Sequence, residues 1–220
     1  MRILIFLGTV RDSTPPDPPR LGLRVARNCQ RWLENLEEEH HVELIDPLEH
    51  ELGGVFKPHF SYRKSEVPEP LQSLAEKIEA ADAYVMVSPE YNHSMSPALA
   101  HLLNHFGSSL FSWKPSAIVT YSAGQWGGSR AAVAMRTFLS ELGCLPVSAM
   151  IHVPAAQNVL NEDGTVQDDA ESSRWDKYLG RTLLQLLWWG EAACLQRDRS
   201  DPEQMVRPFK RDPSQRNAPG

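Results

Sequence analysis

The stretch AYVMVSPEYNHSMSP (residues 83–97) decides the fold, because it joins an apolar run to a polar turn and a helix start. Residues 83–87 are of the types that favour a buried strand. Turn-forming residues follow from Ser88, and a helical pattern of apolar residues opens near Ser96. In an open parallel sheet, ligands bind in the crevice beyond the carboxyl ends of the strands. The stretch therefore predicts a strand, a turn and a helix that frame a pocket for a flat heterocycle.

Similar apolar runs recur along the chain, with helical patterns between most of them. The predicted strands are residues 3–7, 42–45, 83–87, 117–121 and 147–153, and the predicted helices are 21–39, 70–81, 96–110, 129–142 and about 170–196. Near-continuous apolar strands are typical of a parallel sheet covered on both faces. The alternation therefore predicts an α/β protein, a doubly wound parallel sheet of five strands with helices on both faces.

Length and composition predict one globular domain and a tail. The chain has 220 residues, of which 41% are hydrophobic and 23% are charged, enough to build a substantial core. After about residue 197 the apolar periodicity stops and prolines accumulate. We therefore expect a domain over residues 1–197 and a C-terminal tail over residues 198–220, disordered or packed on a partner subunit.

Charge, cysteine content and hydropathy exclude several function classes. A net charge of −6 argues against a nucleic-acid partner, because neutralising phosphates requires a basic surface. The three cysteines are widely spaced and form no C-x-x-C, which fits a reducing compartment and a cytoplasmic protein. No stretch approaches the roughly 18 apolar residues of a membrane span, so we expect no membrane partner.

The end of the first predicted strand has the composition of an anion site. Residues 8–13 read GTVRDS, and the first helix begins near Leu21. An anion here would meet a helix N-terminus, hydroxyl groups and the guanidinium of Arg11. The alternative is an arginine in an ordinary surface loop. The segment has neither the Gly-Lys-Ser/Thr of a nucleotide-hydrolysing loop nor a G-x-G-x-x-G dinucleotide turn.

The fourth predicted strand leads into a glycine-rich loop, SAGQWGGS (residues 122–129). Glycines let a backbone approach a ligand closely. Trp126 either covers a ring or packs on a neighbouring subunit. With ligand-type loops after strands one, three and four, the sequence predicts the flavodoxin-like strand order 2-1-3-4-5, whose switch point lies between strands one and three.

Other candidate sites are weaker. His101 and His105 are four residues apart on a helix, but the Glu of H-E-x-x-H is absent, so we predict no metal site. Ser94 and Ser96 lack the G-x-S-x-G sequence of a hydrolase elbow.

Three blocks give the chain a resemblance to a known family. They are Gly8-Thr9-x-Arg11 with Arg20-x-Gly22, then Pro89-Glu90-Tyr91-Asn92-x-Ser94, and the glycine-rich loop after the fourth strand. The chain resembles the NADPH-dependent FMN reductase family, the flavodoxin-like group that includes quinone, chromate and azo-dye reductases. The resemblance in layout extends over roughly residues 1–195.

The resemblance implies a cofactor, a reaction and an assembly. It implies FMN as cofactor, NADPH as co-substrate, and hydride transfer through flavin N5 to a small-molecule acceptor such as a quinone. It also implies a homodimer or homotetramer, and it identifies no certain catalytic side chain. The implied cofactor-binding residues are Thr9, Arg11, Ser13 and Arg20 at the phosphate, Pro89, Glu90, Tyr91 and Asn92 at the isoalloxazine, and Ser122, Gly124 and Gly127 on the third loop.

Two alternatives from other classes remain open at this point. A flavodoxin-type electron carrier would bind FMN without oxidising NADPH. A non-catalytic scaffold would keep the fold and lose the flavin. The proline-rich stretch over residues 15–19 (PPDPP) favours the scaffold, because prolines donate no N–H and Asp17 repels a phosphate.

Overall fold

A five-stranded parallel sheet forms the centre of the computed structural model. The strands are β1 Arg2–Leu7, β2 His41–Ile45, β3 Ala83–Pro89, β4 Pro115–Tyr121 and β5 Leu145–Val153, in the order β2-β1-β3-β4-β5. Each neighbouring pair is parallel. The predicted flavodoxin-like order is confirmed, with its switch point between β1 and β3.

The structure describes residues 1–14, 19–52, 55–205, 210–215 and 217. Most of the proline-rich stretch, residues 15–18, lies outside the described residues, as do tail residues 206–209, 216 and 218–220.

Helices cover both faces of the sheet. They are α1 Leu21–Glu34, α2 Glu69–Ala80, α3 Pro97–Asn104, α4 Ser108–Phe111, α5 Ser129–Glu141, α6 Ala156–Val159, α7 Asp169–Arg199 and α8 Pro202–Met205, with 3-10 turns at His59–Ser61, Lys64–Glu66 and Pro213–Gln215. Residues of α1 and α7 pack on one face, and residues of α2, α3 and α5 pack on the other. Because both faces are covered, β3 and β4 are buried at nearly every position, and their residues are apolar apart from Ser88, Ser116 and Thr120.

Two predicted helices end earlier than the pattern indicated. The helix predicted over residues 96–110 is divided into α3 and α4, because the backbone at Gly107 is extended. The first helix ends at Glu34 instead of residue 39. The sequence after it carries Glu37, Glu38 and Glu39, and the negative end of a helix dipole disfavours carboxylates. Gly143 terminates α5 with a φ of +100°, and the Cys144 N–H donates to Leu139 O at 2.9 Å.

The long helix α7 lies along β5, the outer strand of the sheet. The Tyr178 hydroxyl accepts the backbone N–H of His152 at 2.9 Å, and Gln185 Oε1 accepts that of Ala149 at 3.4 Å. From the other side, Arg136 of α5 donates to Ser148 O. Side chains of two helices thus satisfy backbone groups that an edge strand would otherwise expose.

Lys114 joins two helix ends at the edge of the sheet opposite the carboxyl ends. Its side chain is buried, and Nζ donates to Ile78 O at 2.8 Å, Glu79 O at 2.7 Å and Leu110 O at 3.0 Å. These carbonyls belong to the last turns of α2 and α4, where a positive charge interacts favourably with the negative end of the helix dipole. Burial lowers the pKa of Lys114 to about 7.

Parts of the predicted tail contact the body of the same chain. Lys210 approaches Glu79 at 4.0 Å, and the Asn217 side-chain amide donates to Glu141 at 3.1 Å. Within the described residues, no helix combines the length and the apolar character that crossing a membrane requires.

Candidate active site

A pocket of about 450 Å³ lies at the carboxyl ends of β1, β3 and β4, at the switch point of the sheet. It is lined by Thr9, Arg11, Pro19, Leu21, Pro89, Glu90, Tyr91, Tyr121, Ser122 and Ala123. Six of these residues are among those that the sequence singled out: Thr9, Arg11, Pro89, Glu90, Tyr91 and Ser122. The structure therefore brings the three loops together in one concave site of the size that small ligands occupy.

The floor of the pocket is held by a close approach of β1 to β3. The Gly8 N–H donates to Val87 O at 2.7 Å, and Ser96 Oγ donates to Gly8 O at 2.6 Å. The hydroxyl of Ser88 accepts the N–H of Ser96 at 2.9 Å. A Cβ on Gly8 would lie 2.5 Å from Val87 O, so only glycine fits there. This network fixes the first loop against the second.

Arg11 provides the positive charge of the pocket. Its side chain is exposed, and among the residues that the structure describes its guanidinium forms no ion pair. Thr9 is buried, and its Oγ1 accepts the Arg11 N–H at 3.3 Å. Leu21, the first residue of α1, also lines the pocket. An anion in the pocket would therefore meet a guanidinium and a helix N-terminus.

Arg20 and Ser13 have structural contacts outside the lining of the pocket. The Arg20 guanidinium forms an ion pair with Asp46 and donates to Thr9 O at 2.6 Å. Both side chains are nearly buried, 7% and 10% exposed. Ser13 has a φ of +65°, and its hydroxyl accepts the Arg20 N–H at 2.7 Å. These two residues support the first loop from behind.

The second loop is a tight turn that presents Tyr91 at the mouth of the pocket. Tyr91 and Ser94 exchange two backbone hydrogen bonds, each 2.9 Å long. Asn92 and His93 both have positive φ, 49° and 62°, the conformation of a two-residue hairpin turn. Non-glycine residues adopt this conformation at a cost, and such strain is often found at ligand sites. Asn92 lies at the exposed tip, outside the lining of the pocket.

Glu90 connects the second loop to the third. Its carboxylate pairs with Arg130 Nη2 at 2.7 Å and accepts the Ala131 N–H at 3.4 Å, at the N-terminus of α5. The Glu90 side chain is 11% exposed and that of Arg130 is 49% exposed. Burial acts to raise the pKa of Glu90, but the hydrogen bonds from Arg130 and Ala131 outweigh it, and the pKa lies below its ordinary value. Glu90 is therefore ionised at neutral pH and compensated.

The third loop is shaped by Ser122 and by glycines. Ser122 Oγ donates to Gly124 O at 2.7 Å and accepts the Gly127 N–H at 2.9 Å. Gly127 has a φ of +58°, and its Cβ position would lie 3.1 Å from Pro154 N, so it faces the segment after β5 and not the pocket. The Cβ position of Gly124 meets no atom within 4 Å, which leaves that backbone open to approach. Trp126 is exposed.

Tyr121 is a pocket residue that the sequence reasoning did not single out. It ends β4 with its ring mostly buried and its hydroxyl beside the Thr9 side chain. A Cβ on Gly22 would collide with this hydroxyl, so glycine at the start of α1 makes room for the tyrosine. Burial raises the pKa of Tyr121 above its usual range, which keeps the phenol protonated.

Within the described residues, no three metal-ligating side chains form a cluster.

Fold and site together define a class of protein: a flavodoxin-like α/β domain whose ligand pocket lies at the carboxyl ends of β1, β3 and β4. A sequence model described as NADPH-dependent FMN reductase matches residues 1–158. The chain belongs to the NADPH-dependent FMN reductase family.

Individual relatives agree with this assignment. The chain is 34% identical over 106 residues to an NAD(P)H-dependent FMN reductase of Pseudomonas aeruginosa, 46% of this chain and 57% of that protein. It is 29% identical over 107 residues to a quinone reductase of Pseudomonas putida, again 46% and 57%. The match thus spans a little over half the length of these curated relatives. Among solved structures, the flavoenzyme NAD(P)H:(acceptor) oxidoreductase FerB of Paracoccus denitrificans has a similar fold, with a TM-score of 0.65, 18% identity, and coverage of 87% of this chain and 98% of that one.

Proposed function

We propose that this chain binds FMN in the pocket and passes reducing equivalents from NADPH to a small acceptor such as a quinone. The observation that carries the proposal is that Arg11 and the start of α1 share one pocket with Tyr91 and Ser122. A guanidinium at a helix N-terminus suits a phosphate, and an aromatic ring beside backbone donors suits a flat heterocycle. The names of the relatives, FMN reductase and quinone reductase, support the same chemistry.

The residues present fit FMN. The volume of about 450 Å³ lies in the range of small-molecule sites. The backbone at Gly124 is open, so a ligand ring can approach it. Asp12, which would repel a phosphate, accepts the Thr14 N–H at 3.0 Å, and this hydrogen bond partly compensates its charge.

When bound, FMN supplies the reversible hydride and electron chemistry that no side chain of the pocket offers. Arg11 and the N-terminus of α1 would hold the phosphate. The turn after β3, with Tyr91, would hold the ring. Tyr121 stays protonated and forms an uncharged wall. Glu90 adds little net charge because Arg130 neutralises it.

The first test is an absorbance spectrum of the protein before and after mixing with FMN, followed by anaerobic addition of NADPH. We expect flavin bands that bleach with NADPH. Bands that persist would identify an electron carrier, and a protein that takes up no FMN would contradict the proposal. Arg11→Ala should weaken FMN binding by about tenfold or more, because a hydrogen bond to a charged group contributes about 1.5–3 kcal/mol. Arg63→Ala, an exposed arginine paired with Glu66, is the control.

The proposal extends to the assembly, the domain boundary and the location of the protein. We propose a homodimer or homotetramer, supported by exposed apolar side chains on α7 such as Trp188 and Leu195. We propose residues 1–197 as the FMN-binding domain and residues 198–220 as a C-terminal tail, disordered or packed on a partner subunit. A cytoplasmic location is supported by the three free cysteines.

A further inference from the structure

A second cavity, of about 620 Å³, lies beside β5. It is separate from the flavin pocket, which is the pocket at the carboxyl ends of β1, β3 and β4 that is proposed to bind FMN. It is lined by His152, Pro154, Asn158, Val159, Val166, Asp168, Glu171, Arg174, Trp175, Tyr178 and Arg181. Eight of these eleven residues, from Val159 onward, lie beyond residue 158, where the match to the family ends. The cavity is therefore built mainly by the C-terminal part of this chain.

One face of α7 forms the aromatic wall of this cavity. Its residues recur every three or four positions, which places Glu171, Trp175, Tyr178 and Arg181 on the same side of the helix. Trp175 and Tyr178 contact each other edge to face, with ring centroids 5.7 Å apart. Both rings are half-buried and pack against the core, beside Val159 and Val166. Because the ring planes meet at 78°, the two rings form an apolar corner, in which a planar ligand can stack on one ring and meet the other edge-on.

The charges at the rim of the cavity are compensated at one end only. Asp168 accepts the Ala170 N–H at 2.9 Å, and Glu171 pairs with Arg174 at 2.9 Å. Arg181 lies at the other end and forms no ion pair or hydrogen bond with the residues that the structure describes. It follows Tyr178 by one helical turn, about 4.5 Å along the helix axis. Arg181 and the two aromatic rings thus belong to one face of α7 and line the same cavity.

The third loop of the flavin pocket separates the two cavities. Ser122 and Ala123 line the flavin pocket, whereas the Cβ position of Gly127 lies 3.2 Å from the Cβ of His152, which lines the second cavity. The Nδ1 atom of His152 is hydrogen-bonded to Thr120 Oγ1 at 2.8 Å, which orients the imidazole. The second cavity is therefore adjacent to the flavin pocket but has its own walls.

We propose that this cavity is a second ligand site, which binds a planar aromatic ring that carries an anionic group. The ring packs into the corner between Trp175 and Tyr178, stacking on one of them and meeting the other edge-on, and the anion binds Arg181. An aromatic wall stabilises a flat ring by stacking, and a guanidinium binds phosphate, sulfonate or carboxylate through two parallel hydrogen bonds. Two sources share this chemistry: the purine and phosphate of a nucleotide, and an aromatic acceptor with an acidic substituent. The site goes beyond the proposed flavin chemistry and does not depend on it.

Calorimetric titration of FMN-saturated protein with two probes tests the site. The probes are 2′,5′-ADP, for the nucleotide source, and 1,4-naphthoquinone-2-sulfonate, for the acceptor source. We expect one of them to bind, and Arg181→Ala to weaken that binding by about tenfold. Arg181 is exposed, so this variant should fold. Arg199→Ala, on the same helix but outside the cavity, is the matched control and should bind as the wild type does.

A second variant tests the aromatic wall. Trp175→Phe keeps an aromatic ring but a smaller one, and it should weaken binding of the probe several-fold. The probe should leave the flavin absorbance spectrum unchanged, because it does not contact the flavin. If neither probe binds, or if Arg181→Ala binds the probe as tightly as the wild type, the proposal is wrong. Repeating the titration without FMN separates this outcome from a failure of flavin binding.

Discussion

Glu90→Gln is the most informative substitution at the pocket proposed to bind FMN, because Glu90 connects the second and third loops that line it. The change removes the charge that pairs with Arg130 at 2.7 Å but keeps an oxygen that can accept the Ala131 N–H. An exposed ion pair contributes about 0–1 kcal/mol, and breaking a fully buried one costs about 3–5 kcal/mol. With side chains 11% and 49% exposed, this pair lies between these limits.

We therefore expect Glu90→Gln to destabilise the ordered conformation of the second loop by about 1–2 kcal/mol. If that order is required for FMN binding, the dissociation constant for FMN rises by about five- to thirtyfold, because 1.4 kcal/mol corresponds to a factor of ten. Quenching of FMN fluorescence on titration with protein measures this constant. Glu66→Gln, which alters an exposed pair with Arg63 by the same chemical change, should leave it unaltered.

The effect has a defined pH dependence. The pKa of Glu90 in the folded protein lies below its ordinary 4.5, so the carboxylate contributes fully above pH 4.5 and loses its contribution as the pH falls through the lowered pKa. The ratio of the two dissociation constants, variant over wild type, should thus be constant between pH 6 and pH 8. Equal FMN affinity of variant and wild type at pH 7 would refute the inference that Glu90 holds the pocket together.

Three other substitutions probe the frame of the site by urea unfolding. Gly8→Ala should lower the free energy of unfolding by about 1–3 kcal/mol, because its Cβ would lie 2.5 Å from Val87 O, and a wild-type unfolding curve would contradict this. Asp46→Asn should cost about 3–5 kcal/mol by leaving the buried Arg20 charge uncompensated; a loss under 1 kcal/mol would argue that water reaches the pair. Lys114 has a folded pKa of about 7, below its unfolded value, so wild-type stability should gain from this group as the pH rises from about 7 to about 10. Lys114→Met should lack that gain, and parallel pH profiles would contradict the assigned pKa.

The sheet and its order were predictable because the strands are short apolar runs between helical patterns. The strand at residues 83–87 could be predicted from its own composition, since a strand buried on both faces is apolar at most positions. The division between α3 and α4 was harder to predict. Apolar periodicity continues from Leu103 through Phe106 to Leu110, and the extended backbone at Gly107 depends on how the segment packs.

At the pocket, sequence reasoning identified the loops better than the partners of individual side chains. Arg20 matches the pattern of a phosphate ligand, but Asp46 follows β2, which lies beside β1 in the sheet, and this neighbour attracts the guanidinium. From the sequence, Tyr121 is naturally interpreted as a core residue of the strand, because it ends an apolar run. Only the parallel arrangement of β1 and β4 around β3 brings its hydroxyl to Thr9. Such pairings depend on the distances between strands, and a single sequence does not give these distances.

The capping of β5 by α7 and α5 restricts how two copies of this chain can join. Because Tyr178, Gln185 and Arg136 occupy backbone groups of that strand, a second copy cannot extend the sheet there by strand addition. A second copy that approached this side would meet helix surfaces instead of a strand edge. The length of α7 thus ends the growth of the sheet at β5, because no further strand can pair there.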